Sequence, residues 1–209
     1  MINESHKLLR DKYFLPSLEK YNNFLEPQEY YVINDVCDFG TTAFRNLMIH
    51  KTEWILSLIL DNHIPFLVSD VDIEFFGSIA LDVNAPLNAY KDIVFQKEGS
   101  NCGGVAGVNT GFILINPNNN IFNFWKIIYD NLKNYPKDDF INEQILTNEN
   151  LDKIKYKKFS QTIWNWTINK NISISQIKLH HANCASSLDE KIEKLELFRS
   201  MILNNSWSI

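Results

Sequence analysis

Residues 64–68, Ile-Pro-Phe-Leu-Val, form a short and nearly continuous apolar run that breaks directly into Ser69-Asp70-Val71-Asp72-Ile73-Glu74. An apolar run without polar alternation is the pattern of a strand buried on both faces. Upstream, Tyr30-Tyr31-Val32-Ile33 is β-prone, and Thr41 or Thr42 is placed to cap a helix. That helix carries apolar residues at Phe44, Leu47, Met48, Trp54, Ile55, Leu58 and Ile59, a period of about 3.6 that only Lys51 interrupts, and Asp61-Asn62-His63 ends it. Strand, helix and strand in this order make a βαβ unit and imply parallel pairing.

The rest of the chain fits the same class. Residues 112–115 read as a strand, and 121–132 as a helix with Phe122, Trp125, Ile128, Tyr129 and Leu132 inward. Residues 139–147 form a short helix and 188–203 a last one, striped by Leu188, Ile192, Leu195 and Ile202. The expected fold is α/β, with a mixed, mainly parallel sheet flanked by helices. No repeat and no Pro/Gly/Ser-rich linker divides the chain, so residues 1–209 read as a single domain.

Composition removes several function classes. With 45% hydrophobic and 22% charged residues, wholesale disorder is excluded. A net charge of −5 argues against a general nucleic-acid binder, whose affinity rests on neutralising phosphates. Cys37, Cys102 and Cys184 form no CxxC pair, which disfavours a zinc ribbon or a disulfide framework. The polar N-terminus and the lack of a long apolar run point away from a secretory leader or a transmembrane segment. The expectation is a soluble, cytoplasmic protein.

Five short segments could carry chemistry. Asp70 and Asp72 stand where a buried strand ends, the usual ligand position in open α/β sheets, and paired carboxylates suit Mn²⁺ or Mg²⁺. The glycine-rich stretch from Gly103 to Gly111 fits neither the Walker nor the dinucleotide pattern, but Asn109-Thr110-Gly111 could bring backbone close to a ligand. His181, in His180-His181-Ala182-Asn183, is a candidate third metal ligand. Lys191 opens the last helix, where a cation opposes the helix dipole and so suggests an anionic partner. Glu143-Gln144 offers a carboxylate beside an amide. Taken singly, each is equally an acidic turn, a flexible turn, a satisfied core histidine, a solvated lysine or an exposed polar face.

In sequence order these segments are more specific. Phe44-Arg45, Lys51, Phe66 through Phe76 with its Asp-x-Asp, Asn109-Thr110-Gly111-Phe112, Glu143-Gln144 with Asn148, and His181-Ala182-Asn183 with Lys191 together resemble the nucleotide-diphospho-sugar transferase family of GT-A glycosyltransferases. The likeness is nearest to the retaining branch that includes plant cell-wall and algal-virus enzymes. The resemblance implies a GT-A, Rossmann-like fold, a divalent cation (Mn²⁺ or Mg²⁺), a nucleotide-sugar donor, usually a UDP-sugar, and a glycan or glycoprotein acceptor. A viral protein acting in a host cytoplasm fits the same picture.

The resemblance also assigns roles. Asp70 and Asp72 would meet the metal and the donor, His181 would complete the metal shell, and Lys191 would hold the diphosphate. Asn109, Thr110 and Gly111 would line the sugar pocket, Lys51 would face the donor, and Glu143 and Gln144 would lie near the reacting carbon. Three features depart from the family pattern: Glu-Gln replaces Asp-Gln, Ser187 stands where a glycine is usual, and the first nucleotide-binding strand is expected to be shortened near Ser5-His6. A phosphatase of the haloacid-dehalogenase type also uses Asp-x-Asp, but Glu74 occupies the place of its Thr or Val. A non-catalytic nucleotide-sugar or carbohydrate-binding module on a degenerate transferase fold is the other alternative.

Overall fold

The computed structural model describes residues 6–29, 41–87, 92–99, 107–136, 141–168 and 171–206. The N-terminal stretch is helical: α1 (Lys7–Leu9), a π-helical turn (Arg10–Phe14) and α2 (Leu15–Asn22). Of the shortened strand expected near Ser5-His6, Ser5 lies outside the described residues, and His6 leads straight into α1. Helix α3 (Thr42–Asp61) starts where the threonines predict, with the Thr41 hydroxyl accepting the Phe44 N–H at 3.2 Å. It buries Met48, Ile55, Leu56 and Ile59, with Phe44, Leu47 and Trp54 packed on the same cluster.

Beyond α3 come β1 (Phe66–Ser69), β2 (Ile73–Phe75), α4 (Ala80–Leu87), β3 (Ile93–Glu98), β4 (Gly107–Ile115), α5 (Asn119–Asn134) and α6 (Glu143–Glu149). Strands β5 (Tyr156–Lys158), β6 (Ile163–Asn165) and β7 (Leu179–His181) precede α7 (Leu188–Asn204). Asn118 caps α5, whose buried Ile121, Phe124, Trp125, Ile128 and Leu132 face α3. Arg45 of α3 donates to the carbonyls of Leu132, Tyr135 and Pro136, satisfying oxygens that the C-terminus of α5 leaves unpaired. Among the described residues no helix is long and apolar enough to cross a membrane.

The strands form two sheets, one ordered β1-β4-β3-β5 and the other β2-β7-β6. The fold is mixed α/β as expected. Among the described pairings, however, β1–β4, β3–β4 and β2–β7 are antiparallel, and only β3–β5 and β6–β7 are parallel. A parallel majority is not what these strands show. The predicted strand at 30–33 and the glycines at 103–106 lie outside the described residues.

Strand β1 also differs from expectation: only Val68 is buried, while Phe66, Leu67 and Ser69 are half-buried and Ile64 is 70% exposed. Among the described strands β1 lies at the edge of its sheet, whereas β4, between β1 and β3, is buried along nearly its whole length. A third element of order comes from the far end of the chain. Leu195 of α7 joins Leu9, Tyr13 and Ala182 in one apolar cluster, which docks the N-terminal helices beside β7.

Candidate active site

The Asp-x-Asp segment crosses from one sheet to the other. Asp70 follows β1 directly, and its N–H donates to the Gly111 carbonyl of β4 at 2.7 Å, extending the first sheet by one residue. Asp72 immediately precedes β2, and its carbonyl accepts the Ala182 N–H at 2.9 Å, extending the second sheet past the Ile73–His181 register pair. The bend between the sheets lets the two carboxylates approach one point, and β7 delivers His181 to the same point. Ligand atoms of Asp70, Asp72 and His181 all lie within 4.8 Å of one another. Asp72 and His181 are buried, while the Asp70 side chain is 38% exposed and forms the open side.

Gly111 makes this convergence possible. A Cβ placed there would stand 2.3 Å from His181 Cε1 and 2.8 Å from Asp70 Oδ2, so any side chain would push two of the three groups aside. Oxygen and imidazole donors at this separation fit a hard or borderline divalent cation, so the residues suit the metal that the resemblance implies.

Two lysines, one buried and one half-buried, balance the acids. Lys51, 2% exposed, donates to Asp70 Oδ1 at 3.0 Å, Glu143 Oε1 at 3.1 Å and the Thr110 carbonyl at 3.2 Å, which uses all three of its hydrogens. Burial alone would lower its pKa, but Asp70 and Glu143 outweigh that and hold the ammonium above its ordinary value. Lys191, in the first turn of α7, lies 2.8 Å from Asp72 Oδ2, a carboxylate that offsets the cation's unfavourable place near the helix N-terminus. Burial would raise the Asp72 pKa; Lys191 and then His181 overcome it and keep the carboxyl well below its usual range. Lys191 Nζ also approaches His6 Nε2 at 3.3 Å.

Beside the acids lies a set of side-chain amides. Thr110 donates its hydroxyl to Glu143 Oε1 at 3.1 Å, and its N–H to Gln144 Oε1 at 3.2 Å. Glu143 is 4% exposed, so the reading of Glu143-Gln144 as an exposed polar face does not hold. The Asn109 side-chain oxygen Oδ1 accepts the Gly111 N–H at 2.8 Å. Asn148 anchors α6 to β4 through two bonds of 2.9 Å, one from the Val108 N–H and one to its carbonyl. All the residues singled out from the sequence, Lys51, Asp70, Asp72, Asn109, Thr110, Gly111, Glu143, Gln144, His181 and Lys191, thus fall in one connected network.

Sequence reasoning missed two members, both on β3. Glu98, 7% exposed, accepts from the amides of Asn109, Gln144 at 3.4 Å and Asn183 at 3.3 Å. Gln96, fully buried, meets His181 Nδ1 at 2.7 Å. Their signal was the alternation Gln96-Lys97-Glu98 at the end of an apolar strand, which names no partner.

Comparison with known proteins agrees with this architecture. The profile of the nucleotide-diphospho-sugar transferase family matches residues 17–195, and the chain belongs to that family. It is a glycosyltransferase of the nucleotide-diphospho-sugar type with a GT-A fold. A glycosyltransferase involved in glycosylation of the major capsid of PBCV-1 superposes with a TM-score of 0.54 at 17% identity, over 87% of this chain and 89% of that one. The glycosyltransferase GlyE of Streptococcus pneumoniae TIGR4 gives 0.54 at 16% identity, over 97% of this chain and 61% of its own. The galactosyltransferase LgtC, solved with donor and acceptor sugar analogs, gives 0.50 at 11% identity, covering 100% and 95%. No curated protein matches significantly.

Proposed function

We propose that the protein transfers a sugar from a UDP-sugar to a hydroxyl of a glycan or glycoprotein acceptor, with retention of anomeric configuration. The metal would be Mn²⁺ or Mg²⁺, held by Asp70, Asp72 and His181. One observation carries the reading: three groups able to ligate a metal converge at a sheet crossing, and a half-buried lysine lies against the inner carboxylate. When bound, the cation supplies Lewis-acid stabilisation of the charge that develops on the leaving diphosphate.

The chain's own residues do the rest. Lys191 adds a positive charge beside that diphosphate, in a half-buried setting where a charge counts for more than in water. Asn109, Thr110 and Gly111 form the wall on which the donor sugar rests, held rigid by the bonds to Gln144 and Glu143. Both bonds to Glu143 fall on Oε1, which leaves Oε2 to meet a substrate hydroxyl or the electron-poor anomeric carbon. The extra methylene of Glu over Asp is absorbed in reaching Lys51. Retention follows when the acceptor hydroxyl attacks on the face the diphosphate leaves, with a diphosphate oxygen taking its proton.

Screening nucleotide-sugars by thermal shift with and without Mn²⁺, followed by donor hydrolysis and transfer assays, tests the proposal. A nucleoside diphosphate sugar should stabilise the protein only with metal, and Asp72→Asn should abolish turnover. No stabilisation by any donor, or full activity in Asp72→Asn, refutes it. Donor binding without turnover in the wild type would identify a non-catalytic binding module instead.

A further inference from the structure

We propose that Gln96 is a positioning residue that holds the hydrogen of His181 on Nδ1, so that Nε2 is the nitrogen turned toward the two aspartates and offered to the metal. The inference rests on the metal site proposed above and adds a residue that acts through one of its ligands.

The argument is one of donors and acceptors. Gln96 is wholly buried on β3, and its amide has two neighbours: the Trp164 backbone carbonyl at 3.2 Å and His181 Nδ1 at 2.7 Å. A backbone carbonyl only accepts, so the amide NH₂ must face Trp164 and the amide oxygen must face the histidine. An amide oxygen also only accepts, so Nδ1 carries the hydrogen. With hydrogen held on Nδ1, Nε2 is the nitrogen presented to Asp72 Oδ1 at 3.4 Å. There it can donate a hydrogen to the carboxylate when the site is empty, and offer its lone pair to a cation that takes the place of that hydrogen.

The backbone makes the arrangement rigid. The β3–β4 register shifts between Phe95 and Gln96, an irregularity of the kind that re-aims a side chain. From there Gln96 reaches out of the four-stranded sheet to β6 and β7 of the other, and Asn165 returns the link by donating to the Lys97 carbonyl at 2.8 Å. Partners that orient a ligating imidazole typically change metal affinity by about 10- to 100-fold when removed.

Two variants separate this role from simple packing. Gln96→Leu removes the acceptor at Nδ1; Gln96→Glu keeps it. Both lose the NH₂ that Trp164 uses, so the loss of that bond alone does not distinguish them. Calorimetric titration with Mn²⁺ should show Gln96→Leu weakened by about 10- to 100-fold and Gln96→Glu near wild type. Long-range ¹H–¹⁵N correlation of the histidine rings, with His181→Ala for assignment, should show hydrogen on Nδ1 of His181 in the metal-free wild type and in Gln96→Glu. A wild-type His181 with hydrogen on Nε2 and none on Nδ1 overturns the inference whether or not any variant folds. If His181→Ala weakens Mn²⁺ binding but Gln96→Leu does not, the inference fails and the metal site stands. If the wild type has no affinity for Mn²⁺, both fall.

Discussion

Replacing Lys51 with methionine isolates the balance of charge on which the site is built. The change keeps the length of the side chain and deletes three hydrogen bonds, to Asp70 Oδ1, Glu143 Oε1 and the Thr110 carbonyl. Breaking a buried ion pair from one side costs about 3–5 kcal/mol, because the remaining charge stays buried without a partner. Here the two carboxylates differ: the Asp70 side chain is 38% exposed and keeps water, whereas that of Glu143 is 5% exposed and keeps only the Thr110 hydroxyl. The loss therefore falls mainly on Glu143, and about 3 kcal/mol is the expected cost. At about 2–4 °C per kcal/mol for a chain of this size, the melting temperature should fall by about 6–12 °C. Urea unfolding of the metal-free protein measures the free energy directly. Adding Glu143→Gln removes the stranded charge, so the double variant should be more stable than the sum of the single losses by about 1–3 kcal/mol. A Lys51→Met variant within about 0.5 kcal/mol of wild type, or strict additivity, would refute the reasoning.

Two further tests probe other parts of the structure. Gly111→Ala should weaken Mn²⁺ binding at least about tenfold by titration, since the methyl would stand 2.3 Å from His181 Cε1 and 2.8 Å from Asp70 Oδ2; wild-type affinity would show that the ligands do not crowd this backbone. Glu74 makes a two-bond contact with Arg199 at 2.7 and 3.0 Å, yet burial pushes its carboxyl up to about 7, Arg199 offsetting only part of the effect. The folded chain thus holds this proton more tightly than the unfolded one, whose value is 4.5, so the stabilising contribution is complete below that value and is lost as pH rises through about 7. Glu74→Gln should flatten the decline in unfolding free energy over that interval, and an unchanged slope would contradict the assignment.

Local patterns made the helices and the order of the site legible. Periodicity located α3, α5 and α7, and the one residue that spoiled the α3 stripe, Lys51, proved to be the buried cation of the site. Strand direction was not legible, because an apolar run looks the same whichever way its neighbour travels; β1 pairs antiparallel with β4. Gln96 and Glu98 were invisible for a related reason. Their partners, His181, Asn183, Asn109 and Gln144, are brought to β3 only by the pairing of strands and the meeting of two sheets. Ser187, a departure from the family's glycine, has a local use: its hydroxyl accepts the Glu190 N–H at 3.2 Å and caps the helix that carries Lys191.

The crossing of Asp70-Val71-Asp72 from one sheet to the other means that neither sheet owns a complete set of ligands. An ion held there would rivet the two halves together, and its grip would gauge how well they are docked. A substitution that loosens their contact, even one remote from the aspartates, should cost the enzyme its hold on the donor while its helices and strands remain intact.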